Sequence, residues 1–219
     1  MIRQLSVRSG HSKSAAAFQN TTKPSQLNMN LSNFTDRLFP MLEDALWAEK
    51  ALESNDSQPT RRAYIRSVFA VIEGTVWILK QALLSAAAGP ENHHSLRRGE
   101  YELLSDKSYE LKNNGEIREQ IKFLKLQDNI RFTYKMIERY TGTKFNLEIN
   151  TRDWDNFVNA INVRNRITHP KTAAEFSISD NELIFCKQVT SWFNLLTMSA
   201  IKKLFLPPLP QLQSDTTID

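Results

Sequence analysis

The side chains best suited to chemistry lie together at residues 164–169, near the end of an amphipathic segment. Apolar residues recur there at helical spacing and define one packing face: Trp154, Phe157, Val158 and Ile161. The same spacing next brings Arg164, Asn165 and Thr168 onto that face. An arginine or an amide on a packing face is costly unless it is paired or opens onto a cleft. The change from apolar to polar therefore predicts a functional site.

His169 lies five residues after Arg164 and directly precedes Pro170. On an unbroken helix its side chain would lie about 140° around the axis from Arg164. Because a proline disfavours helical geometry at the preceding residue, we predict that the chain leaves the helix at His169. The imidazole can then turn back towards Arg164, so that a guanidinium, the Asn165 amide and an imidazole surround one small volume.

This set of side chains suits phosphodiester chemistry. Histidine exchanges protons readily near neutral pH, and arginine can bind two phosphate oxygens and stabilise developing charge. RNA supplies its own nucleophile, the 2′-hydroxyl, so a base and a cation on the phosphate can cleave RNA without a metal. The sequence shows no carboxylate cluster for Mg²⁺. Glu91, His93 and His94 are a weak metal candidate, since adjacent histidines seldom bind one ion, and we expect neither metal nor cofactor.

The residues Arg164-Asn165-x-x-x-His169-Pro170, late in a helical chain, resemble the R-x4-6-H motif of HEPN domains (higher eukaryotes and prokaryotes nucleotide-binding). A polar residue straight after the arginine, here Asn165, is also typical of that motif. The resemblance covers about residues 35–205 by architecture. One toxin subgroup carries a tyrosine two places after the histidine, which a partner modifies. This chain has Lys171 there, so the resemblance does not extend to that form of control.

The resemblance implies a small helical bundle that forms a homodimer, with the two motifs facing each other across the interface. Many HEPN domains are metal-independent endoribonucleases of toxin–antitoxin, abortive-infection and other defence systems. Others have lost catalysis and serve as binding or scaffolding modules. By this resemblance Arg164 and His169 are catalytic, and Asn165 orients the histidine or the phosphate. A regulatory partner such as an antitoxin is also implied.

Three further cations are candidates for binding the RNA phosphates: Arg166, Lys171 and Arg66. Arg166 and Lys171 also fit the general preference for cations near a helix C-terminus, whereas Arg164 lies more than a turn before that end. Arg66 falls near one side of a predicted helix with Arg62, Glu73 and Lys80, which indicates a solvated stripe. In the alternative interpretation, Arg66 belongs to a basic surface that holds RNA and Glu73 orients a histidine.

Composition places the net charge outside the predicted domain. Residues 1–35 hold four of the 28 basic residues and no acid, which leaves 24 basic and 24 acidic residues in the other 184. The net charge of +4 is therefore no argument for a nucleic-acid surface. The single cysteine, Cys186, excludes an internal disulfide and fits a reducing cytoplasm. No stretch approaches the roughly 18 apolar residues of a membrane span, and no Gly-rich phosphate loop occurs.

The hydrophobic pattern predicts an all-α bundle of five or six helices over residues 33–206. It follows a flexible basic arm at 1–32, whose alternative is a transit peptide, and precedes a Pro-rich flexible tail at 207–219. No strands are predicted, and all four tryptophans are placed in the core. The first predicted helix begins near Asn33, and the last begins at a capping box at Ser179–Glu182. Between them, the predicted helices are Pro59–Ala88, Arg97–Leu104, Ile117–Tyr140 with a break near Gln127, and Thr151–His169.

Three functions are compatible with the sequence. The first is a dimeric, metal-independent endoribonuclease of HEPN type, in which His169 is the general base or acid and Arg164 stabilises the transition state. The second is a non-catalytic HEPN-like module that binds RNA or a nucleotide, or that only dimerises within a larger complex. The third is a helical adaptor in which Arg164 and His169 are structural.

Overall fold

The computed structural model describes residues 30–88, 96–97, 99–145, 147 and 150–205. The described chain is mostly helical, with six α-helices, which confirms the predicted all-α class. The elements in chain order are α1 (Leu31–Ser54), α2 (Gln58–Ala87), α3 (Glu100–Leu104), β1 (Lys107–Leu111), β2 (Ile117–Ile121), α4 (Leu126–Thr141), α5 (Arg152–Thr168), a short 3-10 helix (Ala173–Phe176) and α6 (Asp180–Phe205).

Helix α2 is the centre of the bundle and contacts all five other helices. Its buried residues include Tyr64, Phe69 and Leu79, each at most 1% exposed. Helix α1 packs closely on it at Gly74, where the Met41 sulfur occupies the space that a Cβ would need. By length and hydropathy α2 alone among the described helices could cross a membrane, contrary to the sequence prediction, but 61% of its apolar window is buried against the rest of the protein.

Most predicted helix boundaries are confirmed by capping interactions. The Asn30 side chain accepts a hydrogen bond from the backbone of Asn33 at the start of α1. Helix α2 begins one residue before the predicted Pro59. At the start of α6, the Ser179 backbone N–H donates to the Glu182 carboxylate, and the Glu182 backbone N–H donates back to the Ser179 hydroxyl. The predicted capping box at Ser179–Glu182 is thus confirmed, and the Asn30 cap places the start of α1 two residues before the predicted Asn33. Residues 1–29 of the proposed arm and the proposed tail at 207–219 lie outside the described residues, but Leu31 and Ser32, which the predicted arm includes, belong to α1.

The helix predicted over Ile117–Tyr140 is wrong in its first third, where the chain forms an antiparallel hairpin with β1. The predicted turn at 113–115 is present, with Gly115 at φ 82°, a conformation that favours glycine. The two side chains of each directly paired couple lie on the same face of the hairpin, and successive couples alternate between its two faces. One face carries Lys107 with Ile121, Tyr109 with Glu119, and Leu111 with Ile117. The period-two alternation around the turn is the signal that indicates a hairpin here.

Candidate functional site

Helix α5 presents the candidate residues near its C-terminal end. The Thr151 hydroxyl accepts from the Trp154 backbone and caps the start of the helix, as predicted. The helix ends at Thr168, and His169 leaves the helical conformation with φ −127° and ψ 58°. The His169 backbone still donates to the Asn165 carbonyl at 2.9 Å. The predicted exit of the chain at His169, before Pro170, is confirmed.

The His169 side chain is exposed and makes no hydrogen bond or ion pair within the part of the chain that the structure describes. The imidazole is therefore reachable from solvent by a ligand.

The Arg164 side chain is held on three sides. Its Nη2 donates to the Glu73 carboxylate of α2, and its Nη1 donates to the Asn165 side-chain oxygen at 3.0 Å. The guanidinium also lies 5.8 Å from the centre of the Phe69 ring, at cation–π distance. The Arg164 and Glu73 side chains are 28% and 41% exposed, so this ion pair is reachable from solvent. Glu73 therefore orients an arginine and not a histidine.

Arg164 lines a large cleft, named here the hairpin cleft, of about 1040 Å³. Helices α2 and α5 form one side, and the hairpin with the chain that follows it forms the other. Glu73, Arg164 and Asn165 line it, but His169 does not. The structure thus brings Arg164 and Asn165 together in one cleft that His169 does not line. The single small volume that the sequence predicts for these three side chains is therefore found for only two of them.

The three proposed phosphate-binding cations occupy different positions. The Arg166 guanidinium donates to the carbonyls of Glu175 and Ser177 and to the Glu182 carboxylate, at 2.7–2.8 Å. Arg66 donates to the Ile167 carbonyl at 2.8 Å. Lys171 is exposed. Arg166 and Arg66 therefore tie α5 to its neighbours, and only Lys171 presents an unengaged cation near His169.

The solvated stripe predicted on α2 is wrong for Lys80, whereas Arg66 is exposed and Glu73 is partly exposed as predicted. Lys80 is fully buried and bonds the Asp106 carboxylate, Glu73 pairs with Arg164, and Arg66 bonds a backbone carbonyl. Tertiary partners bury or engage side chains that the helical pattern alone places on a solvent face.

Trp77 lines the hairpin cleft, although the sequence pattern places it in the core. Trp154 is buried as predicted, but Trp77 is 45% exposed and Trp47 is 70% exposed. Phe69, Glu73 and Trp77 lie four residues apart on one face of α2, and all three line the hairpin cleft. The spacing of four residues between Glu73 and Trp77 is the sequence signal that could have identified Trp77 as a neighbour of Glu73 on the cleft face of α2.

Nucleophilic and metal-binding groups are few in the described ranges. No cluster of three or more His, Cys, Asp or Glu side chains there could hold a metal ion. The candidate set of Glu91, His93 and His94 lies outside the described residues. Cys186 is buried, and burial raises the pKa of its thiol to about 12, so it is inert as a nucleophile near neutral pH.

Comparisons of the whole chain with protein-family models, with curated proteins and with solved structures gave no match.

Proposed function

We propose that the protein is a metal-independent endoribonuclease of HEPN type whose catalytic residues are Arg164 and His169. The observation that supports this proposal most strongly is the combination at the end of α5. An exposed imidazole, with no side-chain partner among the described residues, lies five residues after an arginine that is pre-oriented by Glu73 and Asn165. Preorganised donors cost no reorganisation when charge develops in the transition state.

The proposed reaction uses the 2′-hydroxyl of RNA as its nucleophile. A histidine base takes the 2′-hydroxyl proton, the 2′-oxygen forms a bond to phosphorus, and the bond from phosphorus to the 5′-oxygen breaks. The departing 5′-oxygen receives a proton from a histidine acid. The products are a 2′,3′-cyclic phosphate and a 5′-hydroxyl.

Arg164 has donors left for the phosphate. A guanidinium carries five N–H donors, and the contacts with Glu73 and Asn165 engage one on each terminal nitrogen. The remaining donors can bind the non-bridging phosphate oxygens, where negative charge increases during the reaction. Asn165 serves as the orienting group for Arg164.

We infer that the complete site is formed by a homodimer. The proposed reaction uses a histidine base and a histidine acid, and each copy has one exposed His169 that does not line the hairpin cleft with Arg164. A second copy can therefore supply the second histidine. A two-fold interface would place two Arg164–His169 sets around one phosphodiester. The proposed setting is a cytoplasmic toxin or antiphage defence system, restrained by an antitoxin or another regulatory protein.

A non-catalytic module that binds RNA or a nucleotide is the second candidate. The Arg164–Glu73 ion pair favours it, because the carboxylate already balances the charge that a phosphate would meet. The position of His169 outside the hairpin cleft also allows binding in the cleft without cleavage.

RNA cleavage in EDTA separates these two functions. Wild type should cleave a mixed-sequence RNA, while His169→Ala and Arg164→Ala should be slower by at least about 100-fold. Lys135→Ala, at a lysine 81% exposed on α4 and outside the hairpin cleft, is the matched control and should cleave like wild type. Binding without cleavage by folded wild type would support the module. Equal cleavage by all four proteins would contradict the site.

A further inference from the structure

The hairpin cleft offers two exposed aromatic side chains. Trp77 of α2 is 45% exposed, and Phe123, two residues after β2, is 89% exposed. Both line the cleft. The Arg37 guanidinium lies 5.5 Å from the centre of the Trp77 ring and helps to fix the ring's orientation. A large aromatic ring held in place but left open is a platform for a flat ligand.

Amide side chains accompany the aromatic rings. Asn162 and Asn165 lie three residues apart on α5, and Gln127 lies near the start of α4. Asn165 accepts from Arg164, whereas the amides of Asn162 and Gln127 make no side-chain hydrogen bond within the described parts of the chain. Each therefore offers one acceptor and two donors towards the cleft.

The charges that line the cleft are mostly paired. Three acidic residues (Glu73, Asp106 and Glu119) and three basic residues (Lys107, Lys125 and Arg164) line it. Arg164 pairs with Glu73, Lys107 pairs with Glu119 at 2.9 Å, and Asp106 pairs with Lys80 behind the cleft wall. Lys125 is thus the one lining cation with no ion pair among the described residues. A groove that tracks a nucleic-acid backbone needs a row of cations, which one lysine does not supply, so the recognition chemistry of the cleft is that of a base.

We propose that the hairpin cleft binds one unpaired nucleobase of single-stranded RNA, stacked on Trp77 and hydrogen-bonded by the amides of Asn162 and Gln127. The inference deepens the proposed function, on which it rests for RNA as the substrate, by assigning the residues that select the base next to Arg164. The volume of about 1040 Å³ lies at the upper end of small-ligand sites and accommodates a base with its sugar.

The free groups in the cleft favour adenine. Asparagine and glutamine pair with adenine through one donor and one acceptor, whereas guanine is best matched by two donors of an arginine. The arginine in this cleft contacts Glu73 and Asn165 through its two terminal nitrogens, and the neutral side chains left to pair with a base are the amides of Asn162 and Gln127.

Binding is tested in a His169→Ala background, so that cleavage does not consume the probe. The probes are fluorescein-labelled A8 and U8 oligoribonucleotides, a blunt RNA duplex, and AMP as a competitor. Trp77→Ala should weaken A8 binding by about 5- to 100-fold, as expected for the loss of one stacked base. Trp77→Phe should retain most of the affinity. Trp47→Ala removes an exposed tryptophan on α1 outside the cleft and should change nothing.

Three further outcomes support the proposal. Asn162→Ala should reduce the preference for A8 over U8. The duplex should bind more weakly than A8, and the affinity for A8 should change little between about 50 and 200 mM salt, because few phosphate counterions are released. Competition by AMP at a concentration similar to that of A8 would identify a free nucleotide as the source of the base.

Two results would overturn the proposal: equal A8 affinity of Trp77→Ala and Trp47→Ala with both variants folded by circular dichroism, or duplex binding as tight as A8 binding. Cleavage by wild type that does not depend on Trp77 would leave the proposed function intact and remove only this inference. Binding of the base without any cleavage by wild type would support base binding in the cleft and contradict the proposed ribonuclease function.

Discussion

Arg164 lies on a helix face that is apolar for its first two turns, and the structure shows how that position is tolerated. The guanidinium is not isolated, because Glu73, Asn165 and the Phe69 ring surround it. The sequence predicts that Arg164 needs a partner or a cleft, and it has both. It does not predict Glu73 as that partner, since Glu73 lies 91 residues earlier on another helix.

Arg164→Lys tests whether the shape of this cation matters. Lysine keeps the charge beside Glu73 but lacks the planar fork that contacts Glu73, Asn165 and a phosphate together. We expect cleavage to fall by about 100- to 1,000-fold. The melting temperature should change little, because the pair is partly exposed and a cation remains. Single-turnover cleavage and thermal melting measure the two effects, and wild-type rates in the lysine variant would show that Arg164 is not in the site.

Arg166 differs from Arg164 although only one residue separates them. Its guanidinium joins the end of α5 to the 3-10 helix and to the capping box of α6. Arg166→Ala should therefore lower the free energy of unfolding by about 2 kcal/mol through lost charge-assisted hydrogen bonds. Urea unfolding measures this loss. Lys171→Ala is the control, because Lys171 is exposed and should leave stability unchanged. Reduced RNA affinity of Arg166→Ala at full stability would restore its proposed role as a phosphate ligand.

At the scale of elements, the hairpin is fixed to the bundle by a buried ion pair. Lys80 of α2 is fully buried and donates to the Asp106 carboxylate, and Asp106 immediately precedes β1. The Asp106 carbonyl accepts from the Lys122 backbone at 2.7 Å, which closes the open end of the hairpin. Asp106 adopts φ 54°, a conformation that aspartate tolerates better than most residues. Asp106 thus connects α2 to the start of β1 and to the residue that follows β2.

Asp106→Asn should destabilise the protein strongly. It leaves the Lys80 ammonium buried without a counter-charge, at a cost of about 3–5 kcal/mol. The double variant Lys80→Met, Asp106→Asn removes both charges and should recover most of that loss. Urea unfolding of the two variants beside wild type makes the comparison. A loss below about 1 kcal/mol for Asp106→Asn would show that the pair does not anchor the hairpin.

A second ion pair links α3 to α4 and makes stability depend on pH. Arg139 donates to both carboxylate oxygens of Glu100, and this contact holds the pKa of Glu100 below its ordinary value of 4.5 despite partial burial. A lowered folded-state pKa stabilises the protein above the unfolded value, and that contribution is lost as the pH falls. The stability advantage of wild type over Glu100→Gln should be full above about pH 5 and shrink towards pH 3. A constant difference between pH 7 and pH 3 would contradict the pairing.

The elements differ in how far the sequence determines them. Helices α5 and α6 begin at Thr151 and Ser179 caps, which are local signals, and their starts were predictable within a residue or two. The hairpin carries an equally local signal, but its strands have only five residues each, and the apolar positions after Ile117 also fit a helix. The pairing of Lys80 with Asp106 depends on tertiary contact, and helical periodicity placed Lys80 on a solvent face.

For the molecule as a unit, charge bears on how the proposed RNA substrate would bind. Residues 36–219 carry 24 basic and 24 acidic residues, and Lys125 is the one charged residue lining the hairpin cleft without an ion pair in the described part of the chain. The proposed binding must therefore draw its affinity from local contacts, and the proposed dimer would double the number of Arg164, His169 and Lys171 side chains near one substrate.

Mixing two inactive variants tests the dimeric site. When Arg164→Ala and His169→Ala chains are refolded together, mixed dimers regain one arginine and one histidine from opposite copies. Cleavage should then rise at least several-fold above that of either variant alone, because the composite site is partly rebuilt. Refolding each variant by itself is the control. No recovery, with mixed dimers present by native mass spectrometry, would show that each site lies within one copy.

In the proposed reaction, the 2′-hydroxyl of RNA attacks phosphorus and His169 moves the proton. Mass spectrometry can identify the products formed in EDTA from an RNA oligonucleotide and from the same oligonucleotide carrying a 2′-deoxy residue at the main cleavage position. We expect a 2′,3′-cyclic phosphate and a 5′-hydroxyl from the first, no cut at the substituted position in the second, and no products with His169→Ala. Cleavage at the deoxy position, or 5′-phosphate ends, would show that the 2′-hydroxyl is not the nucleophile.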